Sequence, residues 1–84
     1  DPEHIQIRQY LQNLLDQSSF SVEYHDLRVI NEPSGKALFF DLVVEPVIQE
    51  KDIGQLKKSL KSSIHSAFPS IRTITMEVEP RYAL

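Results

Sequence analysis

Residues 37–44 read ALFFDLVV, and this stretch decides the fold. Both faces of the strand it predicts are largely apolar, which is typical of a central strand that is covered on each side. One face would carry Leu38, Phe40, Leu42 and Val44, and the other Ala37, Phe39, Asp41 and Val43. Asp41 is the one charged residue of the stretch, so it needs either a partner or a function.

Two further strands are predicted on either side of this one. Phe20, Val22 and Tyr24 alternate with polar residues, but the next apolar pair, Leu27 and Val29, has the opposite parity. A bulge at His25-Asp26 would restore one apolar face and point both polar side chains to the other face. The run 31–35 predicts the turn of a hairpin, because it contains a proline and a glycine. The last strand alternates apolar Ile74, Met76 and Val78 with Thr73, Thr75, Glu77 and Glu79, and Pro80 ends it.

Two amphipathic helices complete the pattern. Asp1 and Pro2 favour a helix start, as cap and first helical residue, and an apolar stripe follows at helical spacing until residues 16–19. The stripe consists of Ile7, Leu11, Leu14 and Leu15. Ile53, Leu56, Leu60, Ile64 and Phe68 predict the second helix, which Pro69 stops. Because the chain starts without methionine and inside a helix, we expect it to be a piece of a longer protein.

The element order predicts an α+β fold. A helix between the second and third strands implies a right-handed crossover between parallel strands, whereas the hairpin makes the first two antiparallel. We therefore expect an α-β-β-α-β two-layer sandwich with two helices on one face of a three-stranded mixed sheet. It is ferredoxin-like but lacks the first strand. Residues 1–84 form a single domain in this interpretation, since so short a chain cannot close a second core.

Composition excludes several classes of function. The chain has no cysteine, no tryptophan and only two glycines, which argues against disulfides, thiolate catalysis, zinc fingers and glycine-rich phosphate loops. A net charge of −3 argues against nucleic acid as a partner. No glycine-rich turn suggests an oxyanion hole, so we do not expect an enzyme. The sequence has no apolar run of about twenty residues, so it predicts no membrane span.

The second face of the predicted sheet lacks a cover. Phe39 and Val43 lie on it, and a second copy of the same domain is the natural partner, so we expect a homodimer. Lys57, Lys58 and Lys61 lie on the polar side of the second helix. Such lysines are most often solubilising, but they could contact acidic lipid or a partner loop.

The same open face gathers the residues that could hold a metal ion. Parity places His25, Asp41, Glu77 and Glu79 there, on three adjacent strands. One imidazole and several carboxylates suit zinc, and an oxygen-rich set also suits manganese or ferrous iron. The alternatives are a solvated acidic face and, for Asp41, a salt bridge to Arg28 or Arg72.

From His25-Asp26-Leu27-Arg28-Val29 onward, the chain resembles the cytosolic C-terminal domain of the cation diffusion facilitator family of divalent-metal transporters. The similarity covers about residues 21–80. It continues through a glycine-containing turn, FFDLVVE at 39–45, Phe68-Pro69 and TMEVEP at 75–80.

The resemblance implies ligand positions. Zinc-transporting relatives hold metal with a histidine at the place of His25, another at Asp41 and a His-x-Asp pair at Glu77 and Glu79. A further histidine stands where this chain has Gly54. Only His25 keeps the residue type, so the set shifts from nitrogen toward oxygen, which should weaken zinc binding relative to the family pattern and makes manganese or iron credible.

The resemblance also implies a function. We expect a regulatory domain on the cytoplasmic side of the cell membrane, attached to the transmembrane domain of a metal efflux transporter. It would form a homodimer and sense the metal ion. The alternative is a ferredoxin-like binding or scaffold module that dimerises without binding metal.

Overall fold

The computed structural model describes residues 2–81, and its helices and strands follow one another in the predicted order. The elements are α1 (Pro2–Asp16), β1 (Val22–Glu32), β2 (Gly35–Val44), α2 (Glu50–Ala67) and β3 (Ile71–Pro80). The strands form one sheet in the order β1-β2-β3, with β1 antiparallel and β3 parallel to β2. The predicted α+β sandwich and the central position of the apolar strand are therefore confirmed.

A β-bulge interrupts the pairing of β1 with β2 at the predicted place. His25 pairs with Asp41 and Arg28 with Phe39, so two residues of β1 stand opposite one residue of β2. Asp26 occupies the bulge with a φ of 55°, a left-handed conformation that aspartate tolerates better than most residues. The bulge keeps the apolar side chains before and after it on one face of the sheet.

The hairpin turn is shorter than the sequence predicted. Asn31 and Glu32 were assigned to the turn, but they pair with Lys36 and Gly35, so only residues 33 and 34 form the loop. Gly35 has a φ of 137°. A Cβ at this position would lie 2.8 Å from the carbonyl oxygen of Ser70, so glycine is needed both for the dihedral and for the close approach.

The core lies between the helices and one face of the sheet. Leu38 and Leu42 of β2 are completely buried, as is Leu11 of α1. α1 packs against β1, α2 packs against β3, and the two helices contact each other. The Tyr10 hydroxyl donates a hydrogen bond to the Ser63 carbonyl oxygen at 3.2 Å. Both helices thus cover the same face and leave the other face of the sheet without a helix.

Helix boundaries follow the predicted signals. α1 begins at Pro2, whose ring fixes a helical φ, and ends at Asp16, where the apolar stripe stops. The predicted cap, Asp1, lies outside the described residues. α2 ends at Ala67, two residues before Pro69. No helix within residues 2–81 is long and apolar enough to cross a membrane.

Glu3 links the start of α1 to the sheet. Lys36 Nζ lies 2.9 Å from Glu3 Oε1, and the Ser70 hydroxyl donates to the same oxygen at 3.0 Å. The bonds from Lys36 and Ser70 lower the pKa of Glu3. Folding therefore favours the ionised carboxylate, and this contribution is complete above the pKa of Glu3 in the unfolded chain.

Glu3→Gln is expected to lower the free energy of unfolding at neutral pH by less than about 1 kcal/mol, because the ion pair is partly exposed. As the pH falls through the lowered pKa of Glu3, the wild-type chain loses this contribution and the two proteins should become equally stable. Urea denaturation at a series of pH values measures the difference. A difference that grows on acidification would contradict the sign of the shift.

Candidate metal centre

The sheet face opposite the helices is named here the open face. Strand register places residues of all three strands on it. They include Glu23, His25, Arg28 and Ile30 of β1, Ala37, Phe39, Asp41 and Val43 of β2, and Thr73, Thr75, Glu77 and Glu79 of β3. Phe39 and Val43 are only partly buried, and Ile30 is 46% exposed. The structure thus places all the predicted interface and ligand residues on one surface.

Three of the four predicted ligands come together on this face. Asp41 pairs with Glu77 across the sheet, and Glu79 is two residues further along β3 on the same side. One carboxylate oxygen from each residue lies within 4.8 Å of the other two. These residues form the acid cluster. Asp41 is partly buried, and both glutamates are exposed.

His25 is not one of the residues that form the acid cluster. Its Nε2 lies 3.3 Å from Glu23 Oε2, and both side chains are more than half exposed. The other oxygen of Glu23 is 3.0 Å from Arg81 Nη2, whose Nη1 is 2.9 Å from Glu45 Oε1. His25 thus belongs to a chain of polar contacts, through Glu23 and Arg81 to Glu45, at one end of the open face.

Asp26 also lies next to Asp41, although it was not among the ligands predicted from the sequence. Its carboxyl group faces that of Asp41, and the two can share a hydrogen bond when Asp41 is protonated, because the bulge turns Asp26 onto the open face. The parity slip between Tyr24 and Leu27 was the available signal. It predicted the orientation of Asp26, but the distance to Asp41 depends on the left-handed backbone at the bulge.

The surroundings of Asp41 disfavour its charged form. Burial raises the pKa of Asp41, and the hydrogen bond and charge of Asp26 and the charge of Glu77 act in the same direction. The Arg28 guanidinium opposes the shift. Mutual repulsion of this kind is relieved by a proton or by a cation.

No arginine neutralises the cluster directly. Within residues 2–81, neither Arg28 nor Arg72 forms an ion pair with Asp41, although the sequence suggested both. Arg28 stacks instead over the ring of Phe39, at 5.4 Å from its centroid. Arg8 and Arg28 line an open groove beside Asp26, Asp41 and Glu77, so they reduce the negative potential without pairing with the acids.

The donor set fits a divalent cation that prefers oxygen. Carboxylate oxygens bind zinc at about 2.0–2.2 Å, so two ligand oxygens of a tetrahedral ion lie about 3.3–3.6 Å apart. The cluster, whose oxygens lie within 4.8 Å of one another, would contract by up to roughly 1.5 Å around an ion, which rotation of the two exposed glutamates can supply. A site of three carboxylates with no nitrogen ligand suits manganese or magnesium better than a histidine-rich site would.

Gly54, where the family resemblance expects a histidine, lies exposed in α2. An added Cβ at Gly54 would meet no atom within 4 Å. Steric crowding therefore does not explain the glycine at this position.

Solved structures similar to this one cover nearly the whole chain. The candidate zinc transporter CzrB is 29% identical, with 98% of each chain covered and a TM-score of 0.81. Its zinc form is 28% identical, covers 98% of this chain and 92% of the other, and also has a TM-score of 0.81. The cytosolic domain of a cation diffusion facilitator family protein is 17% identical, with 95% of each chain covered and a TM-score of 0.78.

The chain has the fold of a cation diffusion facilitator cytosolic domain. The resemblance predicted from the sequence is thereby confirmed. A metal-bound C-terminal domain of the CzcD transporter from Thermotoga maritima shares this fold, at 16% identity, with 95% of this chain and 93% of the other covered and a TM-score of 0.79. No protein-family model matches the sequence, and no curated protein is detectably similar to it. The similarity to the facilitator domains is therefore seen in the comparison of three-dimensional structures.

Proposed function

We propose that this chain is the cytosolic regulatory domain of a divalent metal cation efflux transporter of the cation diffusion facilitator family. It would lie on the cytoplasmic side of the membrane, attached to the transmembrane domain of the same protein. The observation that carries the proposal is the acid cluster, three carboxylates within 4.8 Å of one another on the uncovered face of this fold. Structurally similar transporter domains have a zinc form and a metal-bound form.

The acid cluster is the proposed sensing site. Asp41, Glu77 and Glu79 would bind the ion through carboxylate oxygens. His25 would add a nitrogen ligand after turning away from Glu23, a movement that costs little because the contact is exposed. The set of coordinating residues favours manganese or ferrous iron more than the family pattern does. Zinc remains a candidate ion because of its generally higher affinity.

The open face is the proposed dimer surface. Ten residues at about 3.3 Å each and three strands about 4.8 Å apart give it an area of roughly 400–500 Å². A standard interface buries about 800 Å² per partner, so this face alone supports only a weak dimer. A cation next to Phe39 and Val43 would remove the repulsion between two acidic surfaces and strengthen the contact.

Sensing would follow from this linkage. An ion that binds the closed dimer more tightly than separate protomers shifts the population toward the dimer by that difference in affinity. The reciprocal effect is that dimerisation raises the affinity for the ion. The attached transmembrane domain would then be biased by the metal concentration in the cytosol.

Val43→Glu is expected to weaken the homodimer at least tenfold, because it adds a negative charge to a surface whose acidic residues already repel a second copy. The fold should survive, since the Val43 side chain is only partly buried and lies outside the core. Sedimentation velocity over a range of concentrations measures the effect. Val47→Glu is the matched control, because Val47 is 85% exposed in the β2–α2 loop. Equal dimerisation of both variants would contradict the proposed surface.

One observation favours a second candidate, a module that dimerises without metal. The imidazole of His25 is engaged with Glu23, and Asp41, Gly54 and Glu77 stand where zinc-binding relatives have histidine. In this case the acid cluster would be a solvated surface. Dimer formation that is indifferent to manganese and zinc would favour this scaffold role.

A further inference from the structure

The outward surface of α2 divides into two halves of different chemistry. Leu60 and Ile64 face the core. At about 100° per residue, the lysines lie to one side of the outward direction, and serine and glutamine lie to the other side. The lysine-bearing half carries the basic stripe, which consists of Lys51, Lys58, Lys61 and His65, all exposed. The other half carries Gln55, Ser59, Ser62 and Ser66.

The lysines of the basic stripe are not neutralised. Within residues 2–81, none of them forms an ion pair, whereas Lys36 is paired with Glu3 and Arg81 with Glu23 and Glu45. The helix has no acidic residue between Ile53 and Ala67. His65 donates from Nδ1 to the Ile71 carbonyl oxygen at 3.0 Å.

The basic stripe and the acid cluster lie on opposite sides of the domain. α2 packs on the core face of the sheet, and Asp41, Glu77 and Glu79 project from the open face. A chain with a net charge of −3 therefore has one surface that is locally positive. From Lys51 to His65 the stripe extends along about 21 Å of α2, at about 1.5 Å per residue.

We infer that the basic stripe of α2 contacts an anionic lipid surface. This inference rests on the proposed function, which places the domain next to a membrane. Exposed lysines without partners are attracted to acidic headgroups, and their positions along one side of a single helix let several of them reach one plane together. Nucleic acid is a poorer fit, since the stripe has no aromatic residue for base stacking and the opposite face is acidic. Binding by the domain alone is weak and becomes effective when a membrane anchor holds it nearby.

Vesicle flotation tests the inference with the 84-residue chain in the absence of divalent cations. Vesicles of phosphatidylcholine with phosphatidylglycerol should bind the chain at low ionic strength and release it as salt is added, whereas pure phosphatidylcholine should not. Lys58→Gln with Lys61→Gln should lower the partition coefficient roughly tenfold. The matched control is Ser59→Asp with Ser66→Asp, which lowers the net charge by the same two units on the other half of the helix, at positions that are not three or four residues from any residue of the basic stripe. The control should retain binding within about twofold.

Three results would overturn the inference: no binding to anionic vesicles, equal loss in both double variants, or equally tight binding to duplex DNA at the same phosphate concentration. Equal loss would mean that only net charge matters. Asp41→Asn should bind vesicles like the wild type, because Asp41 lies on the opposite side. A failure of vesicle binding would therefore leave the metal titration unaffected, and a failure of the metal site would leave the vesicle result unaffected.

Discussion

Leu42→Ala is expected to lower the free energy of unfolding by about 3 kcal/mol, as truncation of a fully buried leucine does elsewhere. Leu42 has no exposed surface and belongs to the central strand of the sheet. It pairs with Tyr24 on one side and Val78 on the other and faces the helices. The neighbouring strands are fixed by their hydrogen bonds, so the cavity can collapse only in part.

The loss is large for so small a domain. At 0.05–0.15 kcal/mol per residue, the whole chain has a stability of roughly 4–12 kcal/mol. Urea denaturation followed by circular dichroism measures the difference. Val47→Ala, which truncates an exposed side chain, should change the stability by less than about 0.5 kcal/mol. Similar small losses in both variants would show that β2 is not the centre of the core.

Asp41→Asn is expected to lower the affinity for manganese and zinc at least tenfold. The substitution removes the anionic oxygen that lies between Asp26 and Glu77, while the amide keeps the size and shape of the side chain. Calorimetric titration of both ions measures the loss. Glu32→Gln is the matched control, because it removes one acid at the hairpin end of β1, outside the acid cluster. Equal affinity of the Asp41 variant and the control would contradict the site.

The same variant should be more stable than the wild type at neutral pH. Folding raises the pKa of Asp41 through burial and the neighbouring acids, so the ionised carboxyl destabilises the folded chain. The difference is present above the raised pKa of Asp41 and should disappear below the pKa of an aspartate in the unfolded chain. Urea denaturation at several pH values measures it. Stability and metal affinity thus change in opposite directions, which distinguishes a ligand from a structural residue.

Residue parity was sufficient to predict the fold and most of the open face. The two-sided apolar pattern at 37–44 required a central strand, and the slip at His25-Asp26 required a bulge. Once the bulge was assumed, His25, Asp41 and the two glutamates of β3 had to lie on one face. This reasoning needs only the two-residue period of a strand, which is insensitive to side-chain rotamers.

The sequence pattern did not predict the side-chain rotamers or the local backbone conformation. Parity places both Glu23 and His25 on the open face, but it does not show that they contact each other. The approach of Asp26 to Asp41 depends on a left-handed residue in the bulge. The turn was predicted too long, because asparagine and proline at 31–35 are turn formers whether or not Asn31 continues the ladder.

Native mass spectrometry of the chain during titration with manganese and then zinc tests the central claim most directly, because each spectrum reports subunit number and bound ions together. The account predicts that added ions increase the dimer fraction, that ions bind in a fixed ratio to protomers, and that Asp41→Asn loses both effects. A chain that takes up neither ion, or takes up ions without any change in subunit number, would contradict a metal-sensing dimer.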